Sequence, residues 1–148
     1  MTGTPDPVAD PGPGSGGVVG VGVDAVDVDR FRRVLERRPG IARRLFTEDE
    51  RADAGRSTDV AQRLAARFAA KEATMKALGH GIGAFALRDV EVVRSAAPGS
   101  AAGAPSLRLA AGAADLARDR RVARWHLSMT HTAHVAVAMV VAERARPA

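Results

Sequence analysis

The sequence predicts an α+β fold with a small antiparallel sheet and a long packed helix. Three observations lead there. Helix-period apolar stripes and strand-type runs occur in one chain of 148 residues, without regular βαβ alternation. A period-two segment near the C-terminus is followed by a turn and a continuous apolar run, the pattern of an antiparallel hairpin. The hydrophobic fraction is 46% but the aromatic fraction only 3%, so the core must be built from Val, Leu, Ala and a few Phe and Met. A chain of this length forms one domain with a real core.

The elements follow in order. Residues 1–17 carry Pro5, Pro7, Pro11, Pro13 and five glycines, and are expected to be a disordered tail. Residues 18–148 form the folded domain. Val18 to Val23 is a β-branched run broken by glycines and reads as a buried strand ending at Asp24. Asp27 caps a helix whose stripe is Val28, Phe31, Val34 and Leu35, and Pro39-Gly40 stops it. Thr47 and Glu50 form a capping-box pattern for a short helix. Ser57 or Thr58 starts the longest helix, which runs to Gly79, a C′ glycine. Asp89 to Ser95 is a strand, residues 96–104 a loop, and Ser106 to Ala110 a second strand. Ala113 to Arg121 is helical. From Arg124 to Thr130, Trp125, Leu127 and Met129 alternate with His126, Ser128 and Thr130, a half-buried strand. His131-Thr132 turns the chain, and Val135 to Ala142 is a buried strand.

Composition removes several function classes. Without cysteine there is no disulfide, thiolate metal site or cysteine nucleophile. No apolar run approaches the ~18 residues of a membrane span, and the N-terminus lacks the layout of a signal peptide. A cytoplasmic protein with no membrane partner is expected. The net charge of +5 and pI near 11.1 favour polyanionic or acidic partners. The scarcity of aromatic stacking platforms argues against nucleic acid.

Of 22 basic side chains only two are lysines, Lys71 and Lys76, and they bracket Glu72 on the long helix. Lysine is a compact point charge and arginine a flat fork, so the site is one where the point charge matters. At about 100° per residue, Leu64, Phe68 and Met75 face the core. Ala66, Ala69, Ala70, Ala73 and Ala77 form a smooth small-residue side. Glu72 and Lys76 share one edge, Arg67 and Lys71 another. Ordinary helix salt bridging would explain the charges alone. The helix ends in Gly79-His80-Gly81-Ile82-Gly83, however, which opens the backbone to close approach by a ligand. Asp24 is either a turn residue or helix cap, or a metal ligand on a rigid strand. Joined with Glu72 it would form a hard oxygen site suited to Mg²⁺ that shares its shell with phosphate and water. Ser128-Met129-Thr130-His131 offers donors for phosphate or proton transfer. His131 and His134 fall on opposite strand faces, which argues against zinc. The absence of a Gly-x-Ser-x-Gly elbow argues against a Ser-His-Asp triad.

Together, Gly22-Val23-Asp24, the run Arg67-Phe68-Ala69-Ala70-Lys71-Glu72-Ala73-Thr74-Met75-Lys76-Ala77-Leu78-Gly79, and Ser128-Met129-Thr130-His131 resemble the small 4′-phosphopantetheinyl transferases, the holo-acyl-carrier-protein synthase family. The resemblance covers roughly residues 18 to 143 in matching order. It implies transfer of the phosphopantetheine arm of coenzyme A to a serine of an acidic apo acyl carrier protein, with release of adenosine 3′,5′-bisphosphate. It assigns Mg²⁺ to Asp24 and Glu72, and the coenzyme A phosphates to Lys76. Arg67, His131, Gly79, Gly81 and Thr132 would contact coenzyme A, and Arg30 would meet the carrier. It also implies a homotrimer with active sites at subunit interfaces. The catalytic residues expected are Glu72, Lys76 and His131. The proton acceptor is Glu72 or a water on the metal, with His131 as the alternative. The chain departs from the family pattern in its N-terminal tail, its long 96–104 loop and its use of arginine for lysine. The competing functions are a basic polyanion-binding module without catalysis and a Mg²⁺-dependent phosphohydrolase.

Overall fold

The computed structural model describes residues 16–81, 83–94, 103–146 and 148. The tail expected at 1–17 lies outside the described residues up to residue 15, and the 96–104 loop up to residue 102. The elements are β1 (Val18–Asp27), α1 (Val28–Arg37), α2 (Ile41–Leu45), α3 (Glu48–Gly55), α4 (Val60–Ala77), β2 (Val90–Arg94), β3 (Pro105–Leu109), α5 (Ala111–Asp119), β4 (Val122–His131) and β5 (Val135–Arg144). A 3₁₀ turn, Leu87–Asp89, precedes β2. The strands form an antiparallel sheet in the order β1-β5-β4 and a separate antiparallel β2-β3 pair. The α+β class is as predicted, with the sheet divided in two.

Helix α4 lies across one face of the three-stranded sheet. Its predicted small side does the packing: Ala69, Ala70, Ala73 and Ala77 bury against Ala138, Val140 and Ala142. Small residues allow a very close approach to β1. A Cβ placed on Gly20 would fall 1.9 Å from the Ala77 carbonyl oxygen, and one on Gly22 1.8 Å from that of Ala73. Gly22→Ala must push the helix off the strand, and is expected to cost about 1–3 kcal/mol or more of stability. Gly55→Ala, with open space around its Cβ, should not. Urea unfolding of the two variants measures the difference.

The flanks of α4 join two further clusters. Leu64 packs with Val28, Phe31 and Phe46, and Met75 and Leu78 pack with Phe85, Val90 and Ala113. The other face of the sheet is open: Val23 is 55% and its cross-strand partner Met139 47% exposed.

Several boundaries differ from the reading above. β1 continues to Asp27 because pairing with β5 runs on to Val135. Asp24 therefore stands inside the strand. It shares the α4-facing side with Gly20 and Gly22, since alternate residues point the same way. Asp27 does cap α1, accepting the Arg30 N–H at 2.8 Å. The cap of α4 is Asp59, which accepts the Gln62 N–H at 3.0 Å, rather than Ser57 or Thr58. Ser57 Oγ accepts the N–H of Asp59 instead. The capping box is present as predicted, with Glu50 N–H to Thr47 Oγ1 at 3.2 Å and Thr47 N–H to Glu50 Oε2 at 2.9 Å. The short helix α2 was not anticipated. β4 includes His131, and Thr132 follows it in the turn.

Candidate active site

The site begins with the close packing of α4 on β1. Because Gly20 and Gly22 admit the helix, the next residue on that side, Asp24, comes beside the helix edge that carries Glu72 and Lys76. Lys76 Nζ donates to Asp24 Oδ1 at 3.1 Å and to the Val23 carbonyl at 2.9 Å. Glu72 is only 8% exposed. Burial raises the pKa of its carboxyl above the ordinary range, Asp24 raises it further, and Lys76 opposes both. Two acids thus share a site with too little positive charge.

Asp24 and Glu72 line one groove of about 690 Å³ together with Arg30, Phe31, Ile41 and Leu45. Arg30 stands in the first turn of α1, and its cap Asp27 lines the groove too, so a cation, three carboxylates and an apolar floor border one opening. The donor set fits a hard divalent cation. Both donors are carboxylate oxygens, and no group of three or more His, Cys, Asp or Glu forms a closed cage among the described residues. Mg²⁺ is typically held in this way, by one or two carboxylates with waters and substrate phosphates completing its shell.

Arg67 and His131 lie elsewhere. Arg67 and Lys76, nine positions apart, project on opposite sides of a helix turning about 100° per residue. Arg67 is nearly buried, ion-paired with Asp53 and donating to the Arg63 carbonyl at 3.2 Å. With His131, Arg63, Arg94, Met129 and Pro105 it lines a second cavity of about 200 Å³. This cavity is cationic, and its Arg63 and Arg94 were not foreseen. Arg63 precedes Arg67 by one helical turn, a spacing visible in the sequence. The predicted site therefore divides between two cavities of one chain.

The remaining candidates are placed as follows. Ser128 and Thr130 alternate with Met129 and His131, so the strand end does not present all its donors on one face. The Thr132 hydroxyl accepts the N–H groups of His134 and Val135 at 3.2 and 3.1 Å, and its carbonyl accepts Gln62 Nε2 at 2.9 Å. Gly79 has φ +76° and closes α4: His80 N–H reaches the Met75 carbonyl at 3.0 Å and Gly79 N–H the Lys76 carbonyl at 2.9 Å. Gly81 is exposed, with open space where a Cβ would stand. His134 faces Asp29 at 3.3 Å, away from any pairing with His131.

Lys71 departs most from expectation. It is fully buried rather than at the site. Its Nζ donates to Glu50 Oε2 at 2.8 Å, to the Leu87 carbonyl at 3.0 Å and to the Val90 carbonyl. It also lies 5.4 Å from the centroid of the Phe46 ring. Glu50 Oε1 accepts the Val92 N–H at 2.9 Å. Burial lowers the Lys71 pKa, against the opposing pull of Glu50.

Residues 20–140 match the family model of the 4′-phosphopantetheinyl transferase superfamily, and the chain belongs to that superfamily. Within it, the chain groups with the holo-[acyl-carrier-protein] synthases. It is 53% identical over 126 residues to the protein of that name from Frankia alni, covering 85% of this chain and 98% of the relative. Solved structures of synthases are similar as well, two of them as follows. The holo-[acyl-carrier-protein] synthase of Neisseria meningitidis superposes with TM-score 0.75 at 30% identity, over 86% of this chain and 100% of that one. The Bacillus anthracis synthase, in complex with CoA (3′,5′-ADP), superposes with TM-score 0.68 at 32% identity, over 86% and 98%.

Proposed function

We infer that the protein transfers the 4′-phosphopantetheine arm of coenzyme A to a serine hydroxyl of an apo acyl carrier protein. The observation that carries the reading is the meeting of Asp24 and Glu72 in one groove, with Lys76 bonded to Asp24, in a chain whose Bacillus anthracis relative is solved in complex with CoA (3′,5′-ADP). The serine oxygen bonds to the phosphorus bearing pantetheine, and the bond from that phosphorus to the bridging oxygen breaks. Adenosine 3′,5′-bisphosphate leaves with the freed electron pair. Phosphoryl-type transfer asks mainly for positioning and charge neutralisation. Lys76, with its half-exposed ammonium, offsets charge on the leaving phosphate. Asp24 and Glu72 would hold Mg²⁺, which when bound adds positive charge at the pyrophosphate. Glu72 is the proton acceptor in this reading, directly or through a water, because it shares a groove with Arg30 and His131 does not. Arg67 and His131, in the cationic cavity, would take the other phosphate-bearing end of coenzyme A.

Intact-mass analysis of purified apo carriers tests this. Incubation with the protein, coenzyme A and Mg²⁺ should add one phosphopantetheine to a carrier. Cleavage of coenzyme A without an acceptor would instead indicate a phosphohydrolase. Unchanged carrier and unchanged coenzyme A would leave a binding module. The acidic carrier should dock at Arg30. Arg30→Glu is expected to raise the KM for the carrier roughly tenfold, equivalent to about 1.4 kcal/mol, with coenzyme A affinity nearly unchanged. Equal losses for both substrates would remove Arg30 from the carrier surface.

We assign a homotrimer, the assembly implied by the family resemblance. The open sheet face with Val21, Val23 and Met139 is an apolar surface of the kind an interface covers. Assembly would let the two half-sites of neighbouring copies complete one another. Light scattering at micromolar concentration should give three times the chain mass of 15.4 kDa. No helix among the described residues is long and apolar enough to cross a membrane, and we place the enzyme in the cytoplasm with its coenzyme A.

A further inference from the structure

We propose that Lys76 is a tethered counter-ion that holds Asp24 until it is displaced, so that a divalent cation and coenzyme A bind cooperatively. The inference rests on the reading of Asp24 and Glu72 as metal ligands.

Lys71 and Lys76 carry the same group in opposite circumstances. Lys71 spends its three donors on a carboxylate and two carbonyls and is 0% exposed. Lys76 spends two, on Asp24 Oδ1 and the Val23 carbonyl, and its side chain is 51% exposed. An ammonium has three donors, so one remains for a further partner. The four-carbon stem is free to swing on its solvent side.

Charge explains why it rests on Asp24. Asp24 and the nearly buried Glu72 line one groove, and Lys76 is bonded to Asp24 while its charge also acts on Glu72. A divalent ion sharing both acids would need the Asp24 oxygens, and the ammonium now lies 3.1 Å from one of them. Two cations that close, on one carboxylate in a half-buried groove, repel strongly. Occupation by the metal therefore weakens the Lys76–Asp24 bond. A phosphate that takes the Lys76 ammonium weakens the same bond. Each ligand removes an obstacle to the other, and the coupling must be equal in both directions. Without coenzyme A, Asp24 is closed by its own lysine.

The sequence supplies an unusual probe, since the chain has only these two lysines. Protein made with ¹³C,¹⁵N-lysine should give two side-chain signals, with Lys71 as the buried internal reference. Mg²⁺ alone at saturating concentration should shift the Lys76 signals and leave those of Lys71 in place. In Asp24→Asn the Lys76 signals should already sit away from their wild-type position and ignore Mg²⁺. Calorimetry should show coenzyme A tightening Mg²⁺ binding by roughly fivefold or more. Lys76→Met should bind Mg²⁺ alone more tightly than wild type by a similar factor. Arg30→Met, which removes a positive charge lining the groove of Asp24 and Glu72, should change it less than about twofold, separating displacement from general charge loss. Mg²⁺ heat with unmoved Lys76 signals would overturn the exchange while leaving the metal site standing. Absence of Mg²⁺ binding in wild type and Lys76→Met, with and without coenzyme A, would overturn the metal reading and this inference with it.

Discussion

Glu72→Gln is expected to slow phosphopantetheine transfer by at least about a hundredfold while leaving the cation-free fold no less stable. The rate loss follows from removing a charged ligand: metal-assisted charge stabilisation is worth several kcal/mol, and each ~1.4 kcal/mol is tenfold. The stability gain follows from the sign of the titration. Burial, with Asp24 second, raises the pKa of Glu72. A carboxyl whose folded pKa exceeds its unfolded value supports folding fully below the unfolded pKa, and that support is lost as pH rises through the folded pKa. Above the folded pKa the buried carboxylate, beside Asp24, therefore opposes folding, and glutamine removes the opposition. The variant's advantage in Tm should be largest near neutrality and fade as pH falls into the ordinary glutamate range. Added Mg²⁺ should raise the Tm of wild type more than that of the variant. A transfer rate within about twofold of wild type would exclude Glu72 as a ligand.

This trade between activity and stability shows what the sequence made legible. Asp24 and Glu72 are paired through the family resemblance, and spacing alone shows only that the alanine side of α4 can press close to another element. That other element is β1, where Gly20 and Gly22 meet the carbonyls of Ala77 and Ala73, a contact visible only in the structure. Thr47, Glu50 and Gly79 were legible because caps are local: each needs partners only a few residues away. α2 was not, since five residues carry too little periodicity to register. The separation of Arg67 and His131 from Glu72 was half legible. Helical spacing already set Arg67 and Lys76 on different edges, but which cavity each edge meets depends on strands far along the chain. Burial of Lys71 depends on Glu50, twenty-one residues away, and on the carbonyls of Leu87 and Val90. No local pattern contains that information.

Lys71 gives the largest stability effect expected in the molecule. Lys71→Met leaves the Glu50 carboxylate buried without its cation and takes the ammonium donor from the Val90 carbonyl, while the Leu87 carbonyl keeps the Val90 N–H, and should cost about 3–5 kcal/mol. Urea midpoints with an unchanged m-value would measure it. A loss under about 1 kcal/mol would mean that the buried pair contributes little beyond its packing. The double variant Lys71→Met/Glu50→Gln should recover part of the loss, because the uncompensated charge is gone. Lys71→Arg is the sharper test. It keeps the charge, yet the three acceptors converge on one point, which suits a compact ammonium and not a planar fork. The larger group must also enter a fully filled space beside Phe46, so a loss of about 1–3 kcal/mol is expected even here. The chain uses arginine at twenty of its 22 basic positions. Lysine stands where one small charge must meet several oxygens, in Lys71 permanently and in Lys76 until a ligand arrives.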